Sequence, residues 1–371
     1  VAYRRGGRMT LPVLVVDAGS ASLHVALVDG ETVRATYDVA EPGELSGLLP
    51  RLGPVDAVGH RFVHGGPYLT GPTVVDDAVR ARLVGAGVLA PMHVPRAVAA
   101  LDAARAALPD VPHVACLDTA FHTDLPAAAR TYPVPHGWTE RYGLRRYGFH
   151  GLSYAWSVRH AAALLGRPAD DLQVVVTHLG GGCSACAVRD GHSVDTTMGL
   201  TPLEGMAMSR RSGSVDPGML LWLQTEHGFT AAQLSDALHH RSGLLGVSGS
   251  SDDTRDLVRA RRRGDRAAEL ALAVFTHRVR RGVAAMAASL DRLDALVFTG
   301  EIGTDQPEVR AEVCAGLRVL GLPDRLSDAV PDEPRCISPV GAAVPVLVVP
   351  TGEIQQVAAE TRAALAGPAL R

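Results

Sequence analysis

Residues 13–30 read VLVVDAGSASLHVALVDG, and residues 174–191 read VVVTHLGGGCSACAVRDG. Each stretch is an apolar strand, a turn of small residues, an alternating strand and an Asp-Gly turn. Twelve positions separate Asp17 from Asp29, and twelve separate His178 from Asp190, so the two copies match in register. A turn without bulky side chains lets backbone N–H groups close on an anion, which makes each copy a candidate phosphate cradle. Either copy alone is compatible with an ordinary glycine-turn hairpin. The matched pair instead predicts two duplicated domains with a nucleotide clamped between them.

A third turn follows the apolar run 295–298, in TGEIGTDQPEVRAEV (299–313). Gly300 and Gly303 supply the turn, and Pro307 stands where a helix begins, at its favoured first position. A strand-to-helix turn of this kind often meets the base or phosphates of a nucleotide. Ala, Leu and Val recur at helical spacing over 95–107, 255–289 and 307–320, with arginines on the other face. The arginine-rich run 259–263 therefore reads as a solvated helix face. The last apolar run, 343–349, and a helix over 353–365 return the chain to the first domain. Strands alternating with helices give an α/β class with mixed sheets flanked by helices. The expected lobes are 10–122 plus about 355–371, and 123–354. Residues 1–9 read as a disordered leader, with Met9 a candidate start.

With 371 residues the chain is long enough for two cores. It is 47% hydrophobic and 20% charged with a net charge of −3, the composition of a soluble globular protein. No segment approaches the roughly 20 apolar residues of a membrane span, and the first residues lack the apolar core of a secretion signal. Near-neutral charge argues against a nucleic-acid surface. Five cysteines without framework spacing suit a reducing cytoplasm. Cys183 and Cys186 form a C-x-x-C inside a strand, where positions three apart face opposite sides, so a structural role is favoured over redox or zinc chemistry. The chain has no lysine and no asparagine; all 36 basic residues of the Lys and Arg class are arginine.

Several segments, in this order, resemble the acetate kinase family, within the actin–hexokinase–Hsp70 superfamily. They are VDAGSASLH, GHRFVHGG (59–66), LAPMHVP (89–95), LDTAFHTDLP (117–126), RRYGFHGLS (145–153), VTHLGGG, SVDTTMGLTPLEGMAMSRRSG (193–213), SGLLGVSGSSDDTRDL (242–257) and VFTGEIG. The resemblance implies a duplicated two-domain, actin-like (ribonuclease H-like) fold with an interdomain cleft, assembled as a homodimer. It implies reversible transfer of the γ-phosphoryl of ATP to the carboxylate of acetate or another short-chain acid, with Mg²⁺, or Mn²⁺ in its place. A carboxylate is already a nucleophile at neutral pH. Such chemistry therefore needs in-line positioning and positive charge rather than a base.

Carried over by the resemblance, Arg61 orients the acid and Arg211 stabilises the transferring group, both through bidentate guanidinium contacts. His150 donates a hydrogen bond to the phosphoryl, and Asp118 fixes Arg61 or the metal shell. Asp17 and Glu353 form the magnesium pair. His24 and the loop His178, Leu179, Gly180, Gly181 and Gly182 meet the phosphates. Asp253, Thr254 and Arg255 meet the adenosine, and Glu301, Ile302, Gly303, Thr304 and Asp305 form the second nucleotide loop. Val63, Met92, Phe149 and Pro202 line a small apolar pocket for the acid's alkyl end.

The family usually has asparagine at Asp17, lysine at His24, asparagine at Gly181, glycine at Glu301, Glu-Asn at Thr304–Asp305 and threonine at Arg210. It also has a longer segment between Asp29 and Gly59. Asp17 adds a carboxylate to the magnesium pair. His24 replaces a permanent cation with one that depends on pH. The Glu301 carboxylate repels phosphate, so weaker ATP binding or another phosphoryl donor is expected. A paralogue acting on a different acid or donor, and a catalytically silent nucleotide-binding protein, stay open at this point. A sugar kinase is disfavoured, because a hydroxyl acceptor needs a base and a polar pocket.

Overall fold

The structure is a computed structural model that describes residues 11–19 and 23–367. The candidate leader with Met9, the turn residues Ser20, Ala21 and Ser22, and residues 368–371 lie outside the described residues. The chain divides into two units. The first comprises the residues up to Thr123, Phe149–Ala155 and the segment from Gly352; the second comprises Asp124–Gly148 and Trp156–Thr351.

Each unit is built on one six-stranded mixed sheet. The first holds β1 (Val13–Ala18), β2 (Leu23–Asp29), β3 (Thr32–Val39), β4 (Ala57–Phe62), β5 (Thr73–Val74) and β6 (His113–Leu117), ordered β3-β2-β1-β4-β6-β5. The second holds β7 (Gln173–Leu179), β8 (Cys183–Arg189), β9 (His192–Thr196), β10 (Ala295–Thr299), β11 (Arg335–Cys336) and β12 (Val346–Val348). Its order, from the opposite edge, is β9-β8-β7-β10-β12-β11. The two sheets match strand for strand. In both, an antiparallel meander is followed by two parallel strands and a short antiparallel edge. The duplication expected from the two hairpins is real.

The hairpin ladders nevertheless differ by one position. Ala18 pairs with Leu23, leaving residues 19–22 in the first connection, whereas Leu179 pairs with Cys183, leaving only Gly180–Gly182 in the second. The far turns compensate. Asp29↔Thr32 brackets Gly30 and Glu31, whereas Arg189↔His192 brackets Asp190 and Gly191. Asp190 and Gly191 are both left-handed (φ 55° and 79°), as a type I′ hairpin turn requires. Equal sequence spacing therefore concealed a slip, because three consecutive glycines can reverse the chain in one residue fewer.

In the first unit, one sheet face buries Leu14, Val16, Val25, Val58, Phe62 and Leu117 with Val98 and Leu101 of the helix Val94–Ala107. The other face buries Val13, Val15, Ala26 and Val114 with Val357 and Ala358 of the C-terminal helix Glu353–Ala366. Gly59 allows that close approach, since a Cβ there would stand 2.4 Å from Thr361 Oγ1. Arg362 of the same helix donates to the carbonyls of Leu11, Val28 and Gly30, pinning it to the β1–β2 hairpin. The expected single helix over 255–289 is two, Thr254–Arg262 and Arg266–Ala287. Gly264 takes φ 87°, and Asp265 caps the second helix through the N–H groups of Ala267 and Ala268. Among the described residues no helix is long and apolar enough to cross a membrane.

His60 and His113 form a buried pair between β4 and β6. His113 Nε2–H donates to the Leu108 carbonyl (3.1 Å), so its Nδ1 accepts from His60 Nε2–H (2.9 Å). His60 Nδ1 is buried and has no hydrogen-bond partner. Burial, and then His113, hold His60 well below its ordinary value; burial also lowers His113. Below about pH 6.5 the unfolded chain takes up protons at these sites that the fold resists, so their contribution to stability is lost as pH falls. A His60→Leu variant is expected to close on, or overtake, the wild type by about 1–2 kcal/mol between pH 7 and pH 5. Denaturant midpoints at the two pH values check this, and a constant difference between the proteins would refute it.

Candidate active site

Parallel strands in an open sheet deliver their carboxyl-terminal residues to one edge, where ligands bind. In the first unit that edge receives Asp17 from β1, Arg61 from β4 (paired in register with Asp17) and Asp118 directly after β6. The Arg61 guanidinium organises the cluster. Nη1 donates to Asp17 Oδ2 at 3.0 Å, Nη2 to Asp118 Oδ2 at 3.0 Å, and Nε to Asp118 Oδ1 at 3.3 Å. Glu353, the first residue of the C-terminal helix, brings Oε1 to 3.7 Å from Nη2. Three carboxylates thus face one guanidinium, a formal excess of two negative charges.

Burial alone would lower Arg61, but Asp118, Asp17 and Glu353 hold it well above its ordinary value. Asp118 is 1% exposed, and burial pushes its carboxyl up to about 6 against the opposing pull of Arg61; Glu353 and Asp17 add to the rise. Glu353 Oε1 is buried without a hydrogen-bond donor. Excess negative charge and an orphaned acceptor are the chemistry of a divalent-cation site. Among the described residues no three carboxylate, imidazole or thiol groups converge into a complete protein shell. Mg²⁺, which keeps waters and phosphate oxygens, does not need one.

The backbone brings the residue after His150 against this cluster: the Gly151 N–H donates to the Asp118 carbonyl at 2.8 Å. A Cβ on Gly151 would lie 2.3 Å from that oxygen, so only glycine permits the approach. His150 itself takes φ 59°, a left-handed conformation that costs a non-glycine residue on the order of 1 kcal/mol or more. Its carbonyl accepts from Tyr154 N–H as the helix Gly151–Leu165 begins.

The remaining first-unit residues are placed less uniformly. Val63 is partly buried against the core, and Met92 is 48% exposed. Phe149 is 1% exposed and packs edge-on to the His64 ring at 5.5 Å, so it backs the site rather than offering an open wall. His24 lies opposite Asp17 in the β1–β2 ladder, and its imidazole is paired with Asp38 of β3.

The second unit contains a cavity of about 450 Å³. Three stretches singled out from the sequence meet in it: Gly180 and Gly181, then Asp253, Thr254 and Arg255, then Glu301, Ile302 and Asp305. Leu179, Gly303 and Thr304 are buried, and neither they nor His178 and Gly182 line the cavity. The approach of β7 to the turn after β10 depends on Gly300, which takes φ 81° and whose Cβ would meet the Leu179 carbonyl at 2.4 Å. Asp253 caps the helix Thr254–Arg262 through Arg255 N–H (2.7 Å) and also holds the Arg255 guanidinium (Nη2 to Oδ2, 2.7 Å). That side-chain contact keeps the Asp253 carboxyl below its usual range.

Arg211 donates from Nη1 to the Pro202 carbonyl at 3.0 Å, so Pro202 meets it through its backbone. Burial lowers the Arg211 guanidinium from its ordinary value, opposed by Cys183. The Met208–Arg211 segment is held by Leu244 N–H to the Met208 carbonyl and Ser242 N–H to the Arg210 carbonyl. Gly243 fits beneath it because a Cβ there would lie 2.1 Å from the Met208 carbonyl. Cys183 and Cys186 are both buried in β8 with raised thiols, Cys183 pushed up by burial to about 12. They are core residues.

Ser209, Asp252 and Gln306 also line the cavity and were not singled out from the sequence. Arg310 was missed for a different reason. It is 0% exposed, and its guanidinium donates to the carbonyls of Gly303 (2.9 Å), Thr304 (2.5 Å) and Ala329 (2.6 Å). Sequence periodicity puts it on an arginine-bearing helix face, which reads as solvated.

The Acetokinase family profile matches residues 43–359. The chain belongs to the acetokinase family. The acetate kinase of Clavibacter michiganensis subsp. michiganensis is 46% identical over 316 residues, covering 85% of this chain and 80% of that relative. The acetate kinase of Clavibacter sepedonicus is 45% identical, covering 95% of this chain and 98% of the relative. Among solved structures, Porphyromonas gingivalis acetate kinase superposes with a TM-score of 0.88 at 30% identity, and a propionate kinase from Francisella tularensis with 0.85 at 30%. Each covers 95% of this chain and 99% of its own. Acetokinases are phosphotransferases with a carboxyl group as acceptor. The repeated strand order of this member is the duplicated actin-like ATPase fold.

Proposed function

We propose that this chain is an acetate kinase that catalyses the Mg²⁺-dependent, reversible transfer of the γ-phosphoryl of ATP to acetate, with propionate as the neighbouring acceptor. The observation that carries the reading is the Arg61–Asp17–Asp118–Glu353 cluster at the strand ends. In this reading Asp118 locks the Arg61 fork in one orientation, and the outer guanidinium edge aligns the acid carboxylate. Arg211 and His150 supply donors to the phosphoryl oxygens as charge spreads over them. Asp17 and Glu353 would hold the magnesium ion, which neutralises phosphate oxygens when bound. The nucleotide occupies the second-unit cavity beside Gly180 and Gly181. No side chain is asked to remove a proton, which fits an Arg61 partner, Asp118, that is fully enclosed.

The test is hydroxylamine trapping of acyl phosphate over a panel of short-chain acids. Hydroxamate from acetate, abolished by chelating magnesium, is the expected result. No hydroxamate from any acid with Mg²⁺ and ATP would overturn the reading in favour of a silent nucleotide-binding protein. The five free cysteines support a cytoplasmic setting.

A homodimer is part of the same reading. The helix Pro217–His227 buries none of its residues, leaving Met219 (40%), Leu221 (62%) and Trp222 (53%) exposed, with Phe229 (39%) just beyond it. An apolar helix face of this kind is what a second copy would cover. The double variant Leu221→Glu, Trp222→Glu is expected to sediment at half the wild-type mass. An unchanged mass removes this face as the interface.

A further inference from the structure

We propose, resting on the kinase reading above, that Tyr132, Arg146 and Glu204 are positioning residues for Arg211: they fix the Pro202 carbonyl against which its guanidinium lies. The two arginines assigned to the reaction are held in opposite ways. Arg61 is surrounded by Asp17, Asp118 and Glu353, whereas among the described residues no carboxylate pairs with Arg211. Its Nη1 donates instead to the Pro202 carbonyl at 3.0 Å. A carbonyl dipole orients a guanidinium without cancelling its charge, which suits a group that meets negative charge developing on a phosphoryl. The guanidinium is then only as well placed as the carbonyl.

Secondary structure does not place that carbonyl. Pro202 lies between β9, which ends at Thr196, and the helix that begins at Pro217, and residues 197–216 form no helix or strand. Side chains from the preceding stretch hold this segment instead. Arg146 Nη1 donates to the carbonyls of Thr197 (3.1 Å) and Met198 (3.0 Å), and its Nη2 to Glu204 Oε1 (2.8 Å). The Tyr132 hydroxyl donates to Glu204 Oε2 at 2.5 Å and accepts from Leu200 N–H at 2.8 Å. The Arg146 guanidinium also lies 5.5 Å from the centre of the Tyr132 ring. The N–H groups of Tyr147 and Gly148 reach the Gly199 carbonyl at 3.0 and 3.3 Å. Pro202 is thus tied down on both sides.

Glu204 closes the loop. Its carboxylate folds back over Gly199, where a Cβ would stand 1.7 Å from Oε2 and 2.1 Å from the Tyr132 hydroxyl. Only glycine admits that approach. Burial, and then the bond to Glu204, raise the Tyr132 phenol from its ordinary value, so it remains a donor at neutral pH. With side chains 17% and 33% exposed, the Arg146–Glu204 pair is a modest source of stability. Its use is geometric.

The experiment is steady-state hydroxamate kinetics of the intact chain, with unfolding midpoints, for Tyr132→Phe and Glu204→Gln. Phenylalanine removes the hydroxyl, and glutamine turns an NH₂ group towards one of the two donors. In either variant kcat is expected to fall about 10–100-fold while KM for ATP stays within about twofold. An Arg211→Lys background supplies the second reading. A lysine ammonium is a point charge on a flexible stem and needs no fixed carbonyl, so Tyr132→Phe there is expected to cost less than about threefold. A lowered midpoint with kcat retained below it, as a merely structural tie would give, overturns the proposal. So does an equal loss with and without Arg211→Lys. Amide exchange reads the tie without chemistry: Tyr132→Phe is expected to deprotect residues 199–204, and unchanged protection there also overturns it. A wild type that forms no acyl phosphate from any acid, yet shows this change in exchange, would sink the kinase reading and leave the tie in place.

Discussion

Replacing Arg61 by lysine is expected to lower kcat/KM for the acid by about 10²–10³-fold while leaving the fold nearly as stable. Lysine keeps the positive charge that Asp17, Asp118 and Glu353 surround, so the buried carboxylates retain a counter-charge. It loses the planar fork that binds both Asp118 oxygens at once. A point charge on a flexible stem cannot hold acid and Asp118 in one fixed relation. The control is Arg61→Leu, which removes the charge and leaves the enclosed Asp118 without its partner. That variant is expected to lose about 3–5 kcal/mol of stability in addition to activity. Steady-state kinetics and denaturant unfolding of the pair separate the two effects. Lysine within threefold of the wild type would mean that the fork takes no part in orienting the substrate.

Replacing Arg310 by leucine should be the most damaging change outside the residues assigned to chemistry, at about 3–5 kcal/mol. Its guanidinium closes three carbonyls, two of them at the end of the Gly300–Asp305 helix, where acceptors have no partner within the helix. Leucine leaves those oxygens buried and unpaired and also creates a cavity. Because the same helix carries Glu301, Ile302 and Asp305 to the nucleotide cavity, affinity for the nucleoside diphosphate should fall with stability. Calorimetry below the unfolding midpoint reads this directly. Unchanged diphosphate affinity would show that the helix keeps its position without Arg310. Arg310→Lys, which can satisfy only part of this set, is expected to fall between.

Parts of this architecture were readable because they are written in short stretches. The strand–turn–strand grammar of 13–30 and 174–191 announced the duplication, and the two sheets repeat it. Pro307 does open a helix, and the run 295–298 is the central strand β10. The one-position slip between the hairpins was hidden, because spacing along the chain does not record which residues pair across a ladder. The break at Gly264 was also missed, since apolar residues and arginines recur at helical spacing on both sides of it.

Local information has a limited reach. A side chain's periodicity, a glycine's freedom at positive φ and a proline at a helix start act over a few residues. By themselves these determined the α/β class, the repeat and the positions of the turns. Which charges meet is a different matter. Arg61 reaches Asp118 57 residues away and Glu353 far beyond it, and His60 finds His113 53 residues on. Only the order of strands in the sheet decides those meetings, since parallel pairing brings distant strand ends to one edge. The same holds for burial: along its helix Arg310 looks like any solvated arginine, and only the packing around it shows that it is enclosed.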